Sequence, residues 1–207
     1  MTRACGVREW VGRDLNIVGL LAKRGAMWFG DEVVSGLDHA LQCATLARAG
    51  GAGDEVVLAA LLHDVGHLVS GAEESSAIHH GKWAARFLSP FVPRRVAWLV
   101  EHHVIAKRYL CTVDRAYAES LSLGSLRSWL RQGGPLDSPT CRALEREPWL
   151  SDVLAIRVEV VGHAHSTLVG AMCQISSAYW RIVRSLENFA MLATFRMDFV
   201  VHTTSSR

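Results

Sequence analysis

The sequence predicts an all-α single domain over residues 1–207, and three observations carry that expectation. Apolar residues recur at three- and four-residue spacing along most of the chain. Gly50-Gly51, the Pro90 and Pro93 pair, and Gly133-Gly134-Pro135 punctuate that pattern at helix-length intervals. Val158 to Val161 is locally β-branched, but a lone strand there would have nothing to pair with. Composition agrees. Half of the 207 residues are hydrophobic and 20% are charged, enough for one core and incompatible with a disordered chain.

Each element follows from local chemistry. Asn16 to Lys23 reads as a short amphipathic helix, followed by a turn at Gly25 and a loop through Gly30. From Ser35 to Ala49, Leu37, Leu41, Ala44, Thr45 and Leu46 keep helical spacing, and Gly50-Gly51 ends the run. Asp54 is the expected N-cap of Glu55 to Leu62, a segment apolar all round and therefore a central buried helix. Gly66 is expected to end it. Beyond a polar loop at Ser70 to Ser76, helices are expected over Ala77 to Leu88 and over Arg94 to His103, separated by the prolines. Leu126 to Leu130, Thr140 to Glu145 and Ser151 to Val161 complete the set.

Several functions are excluded. Twenty-two basic residues against 20 acidic ones give a net charge of +2, too balanced for wholesale nucleic-acid binding. No apolar run reaches the roughly 18–20 residues of a membrane helix. The first residues carry charges (Arg3, Arg8, Glu9) where a signal peptide needs its apolar stretch. Five scattered cysteines without a CxxC point to neither a disulfide framework nor a thiolate zinc site, so a cytoplasmic location is expected.

Histidine is the informative residue. His39, His63-Asp64, His67, His79-His80 and His102-His103 sit in or at the ends of expected helices, and 24, 17 and 23 residues separate His39, His63, His80 and His103. Successive helices of a bundle return to one layer at such intervals, so four imidazoles can converge. A lone histidine on an apolar face is ordinarily a packing residue. Several around an Asp embedded in apolar helix are not, because an unpartnered buried carboxylate is costly. A mixed nitrogen and oxygen donor set suits iron, manganese or zinc. Side chains of adjacent residues leave a helix about 100° apart, so His63 can serve one metal while Asp64 bridges to a second.

AALLHDVGHL, with His39 upstream, resembles the signature of the HD-domain superfamily of metal-dependent phosphohydrolases and oxygenases. FGDEVVSGLDHALQCATLARAGGAGDEVVLAALLHDVGHL, HHGKWAARFL and EHHVIAKRYLCTVDRAYAESLSLGSLRSWLRQGGPL are similar to one branch, the phosphonate-degradation proteins. These are mixed-valent di-iron oxygenases that cleave the carbon–phosphorus bond of 1-hydroxyphosphonates. HDxGH marks the superfamily; HVxAKRYLC with QGGP marks the branch. The likeness runs from Leu15 to Ala155, and the chain after Val158 matches poorly.

The resemblance implies a ligand set of His39, His63, Asp64, His80 and His103, with Asp64 bridging two iron ions (Fe2+/Fe3+) and O2 as co-substrate. It implies that Glu32 and His67 act on the substrate, that Lys107 and Ser125 hold its phosphonate, and that His79 and His102 are not ligands. The partner is then a small organophosphonate. Three departures accompany it. Phe29 stands where the branch has a Tyr. Aligned through Ala155-Ile156-Arg157, the closing Asp-Asp pair falls on Gly162 and His163, and a phosphonate-binding Arg falls on Glu159. Either His163 or His165 replaces the closing carboxylate, or the site lacks that ligand. The expected reaction is oxidative C–P cleavage. The alternatives are metal-dependent hydrolysis of a phosphate ester and a metal-impaired protein that only binds.

Overall fold

The structure is a computed structural model. It describes residues 17–25, 35–69 and 79–162, without the side chains of residues 18, 22, 23 and 158–162. The chain divides into two compact units, Met1–Ser166 and Thr167–Arg207, and the described residues lie in the first.

Their regular structure is helical: α1 (Ile17–Arg24), α2 (Gly36–Ala49), α3 (Asp54–Leu62), α4 (Gly66–Val69), α5 (His80–Leu88), α6 (Arg94–Val113), α7 (Arg115–Ser120), α8 (Leu123–Arg131), α9 (Ser138–Leu144) and α10 (Leu150–Gly162). The all-α expectation holds. No helix among the described residues is long and apolar enough to cross a membrane.

Two helical hairpins organise the molecule. The short Gly50–Gly53 connection returns α3 along α2, and the Ser89–Pro93 turn returns α6 along α5. α3 and α6 pack against each other, and α10 lies over α2, α3 and α6. The apolar sequence of α3 predicts a central helix. In the structure Val56, Val57, Ala59, Ala60, Leu61 and Leu62 are all buried. They meet Leu99 and Val100 of α6 and Val153 and Ile156 of α10 in one core. Each such Leu or Ile contributes about 1.5–3 kcal/mol by leaving water.

Side-chain caps set several boundaries. Ser35 Oγ accepts the Asp38 amide at 3.1 Å, Ser122 Oγ the Ser125 amide at 3.1 Å, and Asp137 Oδ1 the Thr140 amide at 2.8 Å. Arg95 joins three helices, donating from Nη1 to Glu55 at 2.9 Å and from Nη2 to Asp152 at 2.7 Å.

Three expectations need correction. Gly53, not Asp54, is the N-cap of α3, and Asp54 is its first residue. Gly66 does not end a helix; the chain turns at His63–Val65 and Gly66 opens α4. α6 runs ten residues beyond His103, because nothing breaks it before Asp114 turns extended (φ −123°, ψ 101°). That residue then caps the unexpected α7, accepting the Tyr117 amide at 3.0 Å. Val158–Val161 continues α10 as helix, in agreement with the helix expected over Ser151 to Val161.

Candidate metal centre

Five polar residues from three helices and one turn meet inside the two hairpins. His39 lies in the first turn of α2. His63 and Asp64 occupy the turn that ends α3, His80 opens α5, and His103 sits halfway along α6. His63, His80 and His103 are buried to 2% exposure or less. His39 and Asp64 keep about a quarter of their side chains accessible, 28% and 24%, so the cluster has one open side.

Asp64 is the hub. Its Oδ2 lies 3.6 Å from His39 Nε2 and 3.3 Å from His63 Nε2. Its Oδ1 lies 3.4 Å from both His80 Nε2 and His103 Nε2. One carboxylate oxygen therefore faces the histidines of the first hairpin, and the other faces those of the second.

The backbone aims the rings. His63 Nδ1 donates to the Ala60 carbonyl at 2.7 Å and His103 Nδ1 to the Val100 carbonyl at 2.6 Å. A carbonyl can only accept, so each ring carries a proton on Nδ1, and in its neutral form it presents a lone pair from Nε2. Fixing the distal ring nitrogen in this way is how proteins orient metal-binding imidazoles. His63 Nε2 is fully enclosed and has no hydrogen-bond partner. A buried, unpaired acceptor is costly unless a cation takes it up. His80 Nε2 and His103 Nε2 stand 2.8 Å apart, too close for two lone pairs without a proton or cation between them.

The electrostatics suit a cation site. Burial lowers His103 to about 3 and His39 to about 4, so both rings are neutral at pH 7, the form in which an imidazole can bind a cation. Burial opposes ionisation of Asp64, yet the imidazoles around it hold its carboxyl well below the usual range. Burial also lowers His67. His67, on α4, stacks on His80 with ring centroids 4.2 Å apart at 23°. Asp64, His67 and His80 form one group whose donor atoms lie within 4.8 Å of one another; His39, Cys43 and His63 form another.

Lys107 lies one turn beyond His103 and is 3% exposed, and its positive charge is felt at His39. Ser125 is the third residue of α8 and is partly exposed; its amide is held by the Ser122 cap. The structure thus brings His39, His63, Asp64, His67, His80 and His103 together, with Lys107 beside them, while Ser125 is placed on a separate helix. His102 points elsewhere, stacking on Trp98 at 3.9 Å with its Nδ1 on the Trp98 carbonyl. His79 is exposed ahead of α5. Glu32, Phe29, His163 and His165 lie outside the described residues, and the side chain of Glu159 is likewise not described.

Sequence reasoning missed two neighbours. Cys43, one turn after His39, puts Sγ 3.6 Å from His39 Nε2 and is fully enclosed; burial pushes its thiol up to about 12. The i,i+4 spacing to His39 was the available signal. Arg157 of α10 is only 8% exposed, has no partner at Nε, and its charge is felt at His39, Cys43 and Asp64. Its signal was a lone cation inside the apolar run Val153–Val158.

Comparison with known proteins fits this geometry. The HD domain family model matches residues 36–127, which span α2 to the first half of α8. The [1-hydroxy-2-(trimethylamino)ethyl]phosphonate dioxygenase (glycine-betaine-forming) of Leisingera caerulea is 35% identical over 68% of this chain and 74% of its own length. The chain belongs to the HD-domain family, in the branch of the phosphonate dioxygenases. The hydroxymethylphosphonate dioxygenase of Gimesia maris is 38% identical over 62% of this chain and 67% of its own length. An uncharacterised protein of Acanthamoeba polyphaga mimivirus is 28% identical over 72% of each chain. As a member of this HD branch, the chain carries the His/Asp cluster expected of the family's metal site.

Proposed function

We propose that this chain is a di-iron dioxygenase that oxidatively cleaves the C–P bond of a 1-hydroxyphosphonate. One observation carries the reading: the two oxygens of Asp64 divide four imidazoles into His39 with His63 and His80 with His103. A carboxylate so placed suits two cations rather than one. The enclosed, unpartnered His63 Nε2 fits the same assignment, and a nitrogen and oxygen donor set suits iron. When bound, the irons would supply O2 activation and a Lewis-acid anchor for the substrate hydroxyl.

This chain's own residues account for the rest. Lys107 and Arg157 place two buried positive charges around the cluster, which favours a doubly charged phosphonate. Ser125 adds a hydroxyl donor. His67, a neutral imidazole stacked on His80, borders the substrate side and accepts or returns a proton there. Glu32 contacts the substrate from the preceding loop. The reaction balances as one hydroxyphosphonate and one O2 giving a carboxylate, hydrogen phosphate and a proton.

The test is O2 uptake and phosphate release by anaerobically iron-loaded protein, with hydroxymethylphosphonate and its trimethylaminoethyl analogue as substrates. Equal consumption of O2 and release of phosphate is expected. Phosphate release from an ester without O2 would mean hydrolysis instead. No turnover with two metals bound would mean a binding role. In this reading His163 or His165 takes the place of the closing carboxylate, and His163 is tested as that ligand. Replacing His163 with Ala should then lower the metal count, and replacing it with Asp should preserve it.

A further inference from the structure

Lys107 and Arg108 are adjacent on α6 but engage different parts of the molecule. Lys107 belongs to the site just described. Arg108 reaches across to the loop that ends α8, and that loop is the Gln132-Gly133-Gly134-Pro135 motif, which the proposed function leaves without a task.

The loop is shaped around the arginine. α8 closes with the Gly134 amide donating to the Trp129 carbonyl at 3.0 Å and the Gly133 amide to the Leu130 carbonyl at 3.1 Å. Gly133 adopts φ +104° to do so, a conformation L side chains rarely reach. Arg108 then takes the three carbonyls that follow. Its Nε donates to Gly134 at 2.9 Å, and its Nη2 to Gly133 at 3.2 Å and Pro135 at 3.4 Å. A Cβ on Gly133 would stand 3.2 Å from the guanidinium carbon, inside ordinary contact distance. One turn along α6, Thr112 Oγ donates to the Arg108 carbonyl at 2.7 Å and accepts the Leu136 amide at 2.9 Å. α8 has no buried residue of its own, and Leu123 and Leu130 are 74% and 60% exposed. α8 therefore has no fully buried anchor of its own, and the loop that follows it is tied to α6 by these hydrogen bonds.

We propose that Arg108 is a positioning residue: clamped on Gly133, Gly134 and Pro135, it fixes α8 against α6 and so sets the gap between Ser125 and Lys107 in which the phosphonate is held. This rests on the reading that those two side chains contact the phosphonate. A lysine cannot substitute, because three carbonyls spread along a turn need a planar fork rather than a point charge.

The test uses the full-length, iron-loaded protein with Arg108→Met, Arg108→Lys and Gly133→Ala, and Tyr109→Phe as a neighbouring control. Steady-state kinetics with hydroxymethylphosphonate are read beside calorimetric affinity for methylphosphonate and metal content. For the three clamp variants, KM should rise and methylphosphonate affinity fall by about tenfold, the scale of a sub-ångström misplacement. Metal content and kcat should stay near wild type, and lysine should not rescue. A KM and affinity within twofold of wild type, even with lower stability, would reduce the clamp to a structural role and overturn the proposal; so would a fall in kcat at constant KM. If the wild type binds methylphosphonate but does not turn over hydroxymethylphosphonate, the oxygenase reading fails while affinity still decides the clamp. If the wild type does not bind methylphosphonate at all, the phosphonate gap and the clamp fall together.

Discussion

Gly66→Ala should damage both the fold and the site, through one contact. Gly66 opens α4 where α5 crosses it, and a Cβ there would collide with the His80 carbonyl oxygen. It would also stand 2.9 Å from the His80 carbonyl carbon and 3.3 Å from the Ala84 Cβ. The obstructing atoms are backbone, so no rotamer change relieves them. Restoring ordinary contact means moving the start of α5 by about 1 Å, a shift of the kind that costs about 1–3 kcal/mol in a packed interior. His80 is the first residue of that helix and moves with it. A displacement of about 0.5 Å is the tolerance within which a constellation of this kind must be held. The 3.4 Å separation of His80 Nε2 from Asp64 Oδ1 would change accordingly. The expected outcome is a urea midpoint lowered in proportion, with weaker retention of the metal on the His80–His103 side than on the His39–His63 side. Metal analysis after dialysis against a weak chelator, run beside urea unfolding, measures both. Full retention of two metals with an unchanged midpoint would show that α5 yields freely and that the glycine is not needed for close approach.

Other outcomes follow from the same geometry. Asp64→Asn keeps the shape but removes the negative charge between the four imidazoles, and should reduce bound metal from two ions to one or none by elemental analysis. His102→Ala should leave the metal count unchanged, since that ring stacks on Trp98; a lost ion would refute the separation of the two adjacent histidines. In metal-free protein, His39 and His103 titrate near 4 and 3 when folded but near 6.5 when unfolded, so the unfolded chain binds more protons between those values. Stability should therefore be fully present above pH 6.5 and be lost as pH falls toward 4, and a urea midpoint that stays level from pH 7 to pH 4.5 would contradict this. Arg95→Met breaks two partly exposed ion pairs that join α3, α6 and α10, and should cost about 1–2 kcal/mol in urea unfolding, with screening by solvent keeping it at the low end.

The sequence made the centre of the molecule legible and its periphery less so. α3 announces itself because it is apolar on every side, and the spacing of His39, His63, His80 and His103 places one donor on each wall of the two hairpins. The second half of α6 was harder to read. Lys107, Arg108 and Tyr109 interrupt its apolar pattern, since two of them serve the site and the loop rather than the core. Gly66 was misjudged for a related reason. Glycine after a helix is ordinarily a stop, and only the arrival of α5, fourteen residues later in sequence, reveals that it makes room for another chain segment. Arg157 was passed over because a single cation in an apolar run looks like a surface residue until α10 is laid over α2 and α3.

The division of the four histidines between two hairpins separates two quantities that are usually tangled in a dinuclear centre. Each hairpin holds its own pair of rings, so in the proposed di-iron centre how tightly a cation would be gripped is settled within α2–α3 or within α5–α6. How far apart the two proposed cations would lie is settled elsewhere, at the seam where α3 packs on α6, with Leu61, Leu62, Leu99 and Val100 buried in the core. A methylene added or removed at that seam acts as a spacer adjustment, altering the bridge across Asp64 while each grip keeps its donors. Redox potential and substrate span could in this way be tuned from the hydrophobic core, several residues from any ligand.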